Sequence, residues 1–150
     1  MTEGNRIDSV DFFDSLAANM NSRPTEYEVL GDVDIDLGLL MRRRDDGDFR
    51  LRLRFEGIEC TGVAEAEDGD EKLADCYLDG DIDAWQAMFD DIADNGRAVG
   101  RQTINSLTLV GEAIRVRGDD PLGIDKFFRY NQTMQAFLDG AAQLASAGAG

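Results

Sequence analysis

The sequence predicts an α+β fold, on three observations. Apolar residues recur at helical spacing near the N-terminus, around Trp85 and near the C-terminus. Between the first two of these regions the period switches to two, with apolar and charged residues in strict alternation. The alternating runs are short and separated by Gly-containing turns, as the strands of a sheet are. With 150 residues, 43% of them hydrophobic, the chain is sized as a single domain over residues 1–150. Its core is expected from about residue 9 to residue 144, with a frayed tail over residues 145–150.

Ser9 is an N-cap, and Val10, Phe13, Leu16, Ala17 and Met20 follow at helical spacing. Asp11 and Asp14 suit the positive end of the helix dipole. "RPTE" at Arg23–Glu26 ends this helix, because the residue before Pro24 is pushed out of the helical region.

From Tyr27 the period is two. In "DVDIDLGLLM" the odd positions Val33, Ile35, Leu37, Leu39 and Met41 are apolar, and Asp32, Asp34 and Asp36 are even. In "FRLRLRFEG" Phe49, Leu51, Leu53 and Phe55 are odd, and Arg50, Arg52 and Arg54 even. The two runs predict a hairpin, and parity predicts its register. Directly paired residues share a face, so each pair of numbers must sum to an even value; a one-residue slip would set the charges against the partner's apolar row. One sheet face is then covered and the other wet. A third strand is predicted over about Ile58–Ala66. A fourth lies in "KLADCYLDG", with Ala74, Cys76 and Leu78 on one face, and a fifth in "SLTLVGEAIRVRG" through Val110, Ile114 and Val116. The last helix starts near Pro121 with Asp120 as cap, and carries Leu122, Phe127, Phe128, Tyr130, Met134, Phe137 and Leu138.

The net charge is −16, and lysine occurs only as Lys72 and Lys126. Such a field repels nucleic acid and anionic lipid surfaces, so no nucleic-acid partner is expected. No window approaches the length of a membrane span, so no stable membrane insertion is expected. Cys60 and Cys76 make no disulfide framework, which fits a reducing cytoplasm. The acidity fits a high-salt habitat and equally a GC-rich genome.

"DGDIDAWQAMFDD", Asp79–Asp91, resembles a calcium loop in the spacing of Asp79, Asp81, Asp83 and Asp90. Such a loop needs Gly at its sixth place and Glu at its twelfth, where Ala84 and Asp90 stand. Trp85, Met88, Phe89 and Ile92 already share a helical face, so the passage reads as strand end, cap at Asp81 and helix, and no metal is predicted. The chain has no histidine, which removes the usual general base and the His-dependent triads. No glycine-rich phosphate loop is present. The row Arg50, Arg52, Arg54 could grip phosphate, but cross-strand pairing with Asp32, Asp34, Asp36 and Glu56 explains it without a ligand.

The order of these elements, with the "LADCYLDGDIDAW" strand-to-helix passage and the closing "RVRGDDPLG", resembles the sterol carrier protein 2 (SCP-2) family from about Ser9 to Leu144. The resemblance is to an N-terminal helix, a four-strand meander, a helix, a fifth strand and a closing helix. It implies a five-stranded, mostly antiparallel sheet with helices packed on one face and an apolar tunnel between the layers. It implies non-covalent binding of a sterol, fatty acid or acyl-CoA-like lipid and no cofactor; with no histidine and no recognisable catalytic motif, no enzymatic activity is expected. The wall candidates are Trp85, Met88 and Phe89 on the middle helix and Phe127, Met134 and Phe137 on the last, with Phe12 or Phe13 closing the mouth. Ordinary core packing accounts for the same residues. Tyr77, Tyr130 and Gln132 are the candidate polar anchors.

Two rival functions stand beside this one. One is a small isomerase, hydratase or lyase using a buried Asp of raised pKa. The other is an accessory or adaptor subunit that docks on a partner enzyme through Trp85 and exposed phenylalanines. In either case the acidic surface favours a monomer or weak dimer.

Overall fold

A computed structural model describes residues 6–43, 47–108 and 113–144. The expected tail at 145–150 lies outside these residues, as do Val110 and Glu112 of the predicted fifth strand. Ser9 caps α1 (Val10–Asn21), its hydroxyl accepting from the Phe12 amide at 3.2 Å. Pro24 does not lead into a strand. It opens a second helix, α2 (Pro24–Leu30), which buries Tyr27 and ends at Gly31. Proline is at home in a first turn because its missing N–H has no helical partner there. Gly31, at φ 98°, then turns the chain into the sheet.

The strands are β1 (Val33–Arg42), β2 (Phe49–Gly57), β3 (Glu59–Glu65), β4 (Cys76–Asp81) and β5 (Ile114–Arg117). In the β1–β2 hairpin Leu37 faces Leu53, Leu39 faces Leu51 and Met41 faces Phe49, so every pair sums to an even number as alternation requires. The ladder between β2 and β3 slips once, at Arg54/Phe55, leaving Thr61 without a partner opposite. The meander does not continue into β4. That strand lies parallel to β1 on the side away from β2, giving the order β3-β2-β1-β4-β5. Periodicity assigns a strand its faces and not its neighbours, so β4 could not be placed from its own residues. The sheet is otherwise antiparallel, with β5 against β4.

Two predicted strands are shorter than expected. Asp70–Leu73 forms a 3-10 turn before β4, and Ser106 and Leu107 belong to α4 (Ile104–Leu107), capped by Thr103. The middle helix, α3 (Ile82–Asn95), begins where the Asp79–Asp91 passage predicts, with Asp83 in its first turn. Asp81 stands at its N-cap but forms no capping hydrogen bond. The closing helix is divided at Tyr130 into α5 (Pro121–Arg129) and α6 (Asn131–Asp139), and Asp120 caps α5 by accepting from the Leu122 amide at 3.0 Å. No helix among the described residues is long and apolar enough to cross a membrane.

The helices cover one face of the sheet. Asn21 fastens α1 to β3, its side-chain amide donating to the Cys60 carbonyl at 3.0 Å and accepting from the Cys60 amide at 2.9 Å. Cys60 and Cys76 are free and buried, and burial pushes their thiols up to about 11 and about 12. Asp75 fastens α5: its carboxylate is 3.3 Å from Lys126 Nζ. Gly123 rides directly on the Asp75 backbone, where a Cβ would come within 1.9 Å of the carbonyl oxygen.

On the uncovered face the charges pair across strands. Arg52 pairs with Asp36, and Arg54 meets Asp34 at 2.6 Å and Glu56 at 3.1 Å. Arg50 joins Asp68 at 3.1 Å. Asp79 is the one buried carboxylate of this group. It accepts from Arg42 on β1 at 2.6 and 2.9 Å and from Arg117 on β5 at 2.8 Å, linking three strands. Burial alone would raise its pKa, but the two guanidiniums outweigh it and hold the carboxyl below the usual range.

Gly123→Ala should force α5 off its seat, lowering stability by roughly 1–3 kcal/mol or more in urea unfolding. A wild-type midpoint would mean that the helix has room to give. Asp79→Asn leaves two guanidiniums short of an acceptor and should cost roughly 1–3 kcal/mol, limited because both arginines reach water. Arg54→Gln, in an exposed pair, should stay within about 1 kcal/mol. Equal costs for the last two would erase the difference between the buried and the exposed carboxylates.

Candidate functional site

Between the sheet and the last two helices lies a space bounded only by apolar side chains. Leu37 and Leu39 of β1, Leu53 of β2 and Leu78 of β4 form its floor. Ile104, Phe127, Met134, Phe137 and Leu138 close it from above. Alternation brings the four leucines to one face, and the spacing of Met134, Phe137 and Leu138 puts them on one side of α6. The cavity holds about 10 Å³, no more than one water needs. The expected tunnel is therefore closed: side chains fill the interlayer space to near contact.

Of the predicted wall residues, Phe127, Met134 and Phe137 border this space. Phe137 also packs edge-to-face on Phe55, with ring centroids 5.0 Å apart. Phe12, Phe13 and Phe89 meet elsewhere, in an edge-to-face cluster between α1 and α3 with centroids 5.0 to 6.3 Å apart. Trp85 and Met88 are fully buried in the same core and do not border the cavity. The docking role considered for Trp85 and the phenylalanines meets the same finding. Trp85 is 0% exposed, and of the phenylalanines in the described residues only Phe128 is substantially exposed, at 46%.

None of the three polar anchors borders the cavity. Tyr77 alternates with Cys76 and Leu78, so it points to the uncovered face, beside Lys72 and Arg117. Tyr130 sits at the break between α5 and α6 with the Arg129 guanidinium 5.8 Å above its ring. Gln132 is exposed in the first turn of α6. The residues that sequence reasoning missed are the four leucines, Ile104 and Leu138. Alternation alone assigns the leucines to the covered face, which is the signal that could have found them. Ile104 sits in an isolated single-turn helix whose residues carry no readable period.

Asp139 is the carboxyl that the enzyme reading requires, since burial raises its pKa against the pull of its hydrogen bonds to Ala98 and Gln135. Its geometry is that of a tie. One oxygen accepts from the Ala98 amide at 3.0 Å and from Gln135 Nε2 at 2.9 Å, holding the segment after α3 onto α6. It does not border the cavity.

The raised pKa fixes the sign of a pH effect. Folded Asp139 holds its proton more tightly than the unfolded chain does. Its contribution to stability is full below the ordinary value of 3.8 and is lost as pH rises through the higher folded value. The stability of wild type relative to Asp139→Asn should therefore fall as pH rises above about 4, in denaturant titrations at stepped pH. A gap that widens in favour of wild type would reverse the assignment.

No family model and no curated protein matches the sequence. Solved structures do match the fold. A crystal structure of sterol carrier protein 2 superposes with a TM-score of 0.68 at 16% identity, covering 92% of this chain and 98% of that one. A conserved hypothetical protein of Thermus thermophilus, put forward as a sterol carrier protein, gives 0.67 at 15% identity, with 95% and 92% covered. Over nearly its whole length, the chain has the fold of sterol carrier protein 2.

Proposed function

We propose that this protein is a non-enzymatic carrier that binds an apolar small molecule, a sterol or a fatty-acyl lipid, between its sheet and the α5–α6 pair. The observation that carries the reading is the all-apolar space at that layer junction, in a chain sharing its fold with sterol carrier protein 2. Binding is burial: each Å² of apolar ligand surface removed from water contributes roughly 25 cal/mol. Phe127, Met134 and Phe137 are the contact residues on the helical side, and Met134 supplies a pliable surface.

A lipid needs far more than the present cavity, so one wall must yield. That wall is α5, which buries only Gly123 and Phe127 and is joined to α6 through the break at Tyr130. The leucine floor of the sheet stays behind, and Phe12, Phe13, Trp85, Met88 and Phe89 remain packed in the core outside this space. The Asp-based enzyme reading has less support, because Asp139 is engaged in holding backbone and side chain together.

Native mass spectrometry of freshly purified protein, followed by solvent extraction, tests the reading. A discrete added mass that extracts as a lipid is expected. Ligand added at about a hundred times its Kd should raise unfolding stability by about 2.7 kcal/mol. A clean apo mass, with no thermal shift across a panel of acyl chains and sterols, would reduce the cavity to an ordinary core.

A further inference from the structure

The covered side of the sheet contains a buried donor with nothing to bond. Trp85 is 0% exposed, and its indole Nε1 has no hydrogen-bond partner. A buried tryptophan ordinarily finds an acceptor, because a donor taken out of water without one is costly.

Its position relates it to the apolar cavity. Leu39 of β1 and Leu78 of β4 are paired and belong to the cavity floor. The next pair on the same face is Met41 with Gly80. Residues two apart on a strand stand about 7 Å from one another. The indole Nε1 lies 3.4 Å from the point where a Cβ on Gly80 would stand. The donor is therefore one strand step beyond the cavity, on the covered face. Met41 and Met88, both 0% exposed, stand at this step, the first beside Gly80 and the second one turn along α3 from Trp85. Methionine repacks more readily than branched or aromatic side chains. A ligand that enlarges the cavity along the strands thus meets a pliable boundary and then the donor.

Charge narrows what that ligand can be. Among the described residues the buried polar or charged ones are Asp79, Thr108 and Thr133, so no lysine or arginine is buried. A carboxylate or phosphate carried into this layer would stay uncompensated. A lone N–H in apolar surroundings suits a single uncharged oxygen.

We infer that the ligand is an uncharged lipid with an oxygen at its leading end, a sterol or a fatty alcohol, and that Trp85 Nε1 donates to that oxygen. The inference rests on the carrier reading and narrows it, since an ionised fatty acid falls outside the class.

Trp85 is the chain's single tryptophan, so its emission reads the bond directly. The full chain is titrated with cholesterol, hexadecanol, hexadecane and hexadecanoate delivered from cyclodextrin, with binding followed by native mass spectrometry and by fluorescence. Cholesterol or hexadecanol should bind and move the emission to longer wavelength, as a new hydrogen bond at the indole N–H does. Hexadecane should bind without that movement. Hexadecanoate at neutral pH should bind roughly tenfold more weakly than hexadecanol, or worse. Trp85→Phe keeps an aromatic ring and removes the donor. It should lower the preference for hexadecanol over hexadecane roughly tenfold, because lost packing falls on both ligands and the lost hydrogen bond on one. Alcohol and alkane binding to wild type with the same emission would overturn the inference and leave the carrier reading standing, whether or not the variant folds. Failure of all four probes to bind would remove both.

Discussion

Asp75 is the point on which the assembly turns. Its amide donates to the Asp36 carbonyl at 2.8 Å, and its carboxylate accepts from the Asp36 amide at 2.9 Å. That exchange sets the first step of the parallel ladder, from which Cys76 comes to lie beside Leu37. The same carboxylate holds Lys126, and the Asp75 carbonyl fits beneath α5 because Gly123 carries no side chain. One residue thus fixes the position of β4 against β1 and of α5 over both. Every feature downstream inherits that placement: the start of α3, the seat of β5 and the roof of the apolar layer.

The two faces of the sheet obey different physics. Inside, the contributions come from excluded water and close packing, and the residual space is about 10 Å³. Outside, most ion pairs sit in water, where they fix register more than they add stability. Leu40 shows how the outer face is finished. It stands between Arg50 and Asp79 in the ladders and is still 4% exposed, so charged side chains lie over it. Long arginine stems shield apolar surface while their heads stay wet.

Much of this is legible in the sequence because alternation and helical period report faces directly. The hairpin register follows from parity alone, and Ser9 and Asp120 are readable as caps because their side chains act on amides two or three residues away. What stays hidden depends on contacts distant in sequence. Asp36 and Asp75 meet across 39 positions, and no local pattern in either announces it, so a meander is the expectation for β4. Pro24 reads as a stop because a proline marks a boundary without saying which side is helical. For the candidate site, the aromatic residues on α5 and α6 are legible as one apolar stripe. Their separation from the Phe12–Phe13–Phe89 cluster is not, since both groups are simply apolar and helical in the sequence. The place of Tyr77 on the outer face is legible as well, because its own neighbours, Cys76 and Leu78, take the covered one.

The slip between β2 and β3 has a consequence at the sheet's margin. Thr61 stands out of the ladder, its hydroxyl 3.4 Å from the Arg54 carbonyl, and Glu59 and Glu65 lie exposed on the same edge strand. A flat edge is a template for a second chain, because its free amides and carbonyls sit at the repeat that another strand needs. Here the kink spoils that repeat and the glutamates would face their like across the junction. The margin of the sheet is thereby guarded against polymerisation into fibres, and crowding the protein to high concentration brings repulsive edges together instead of sticky ones.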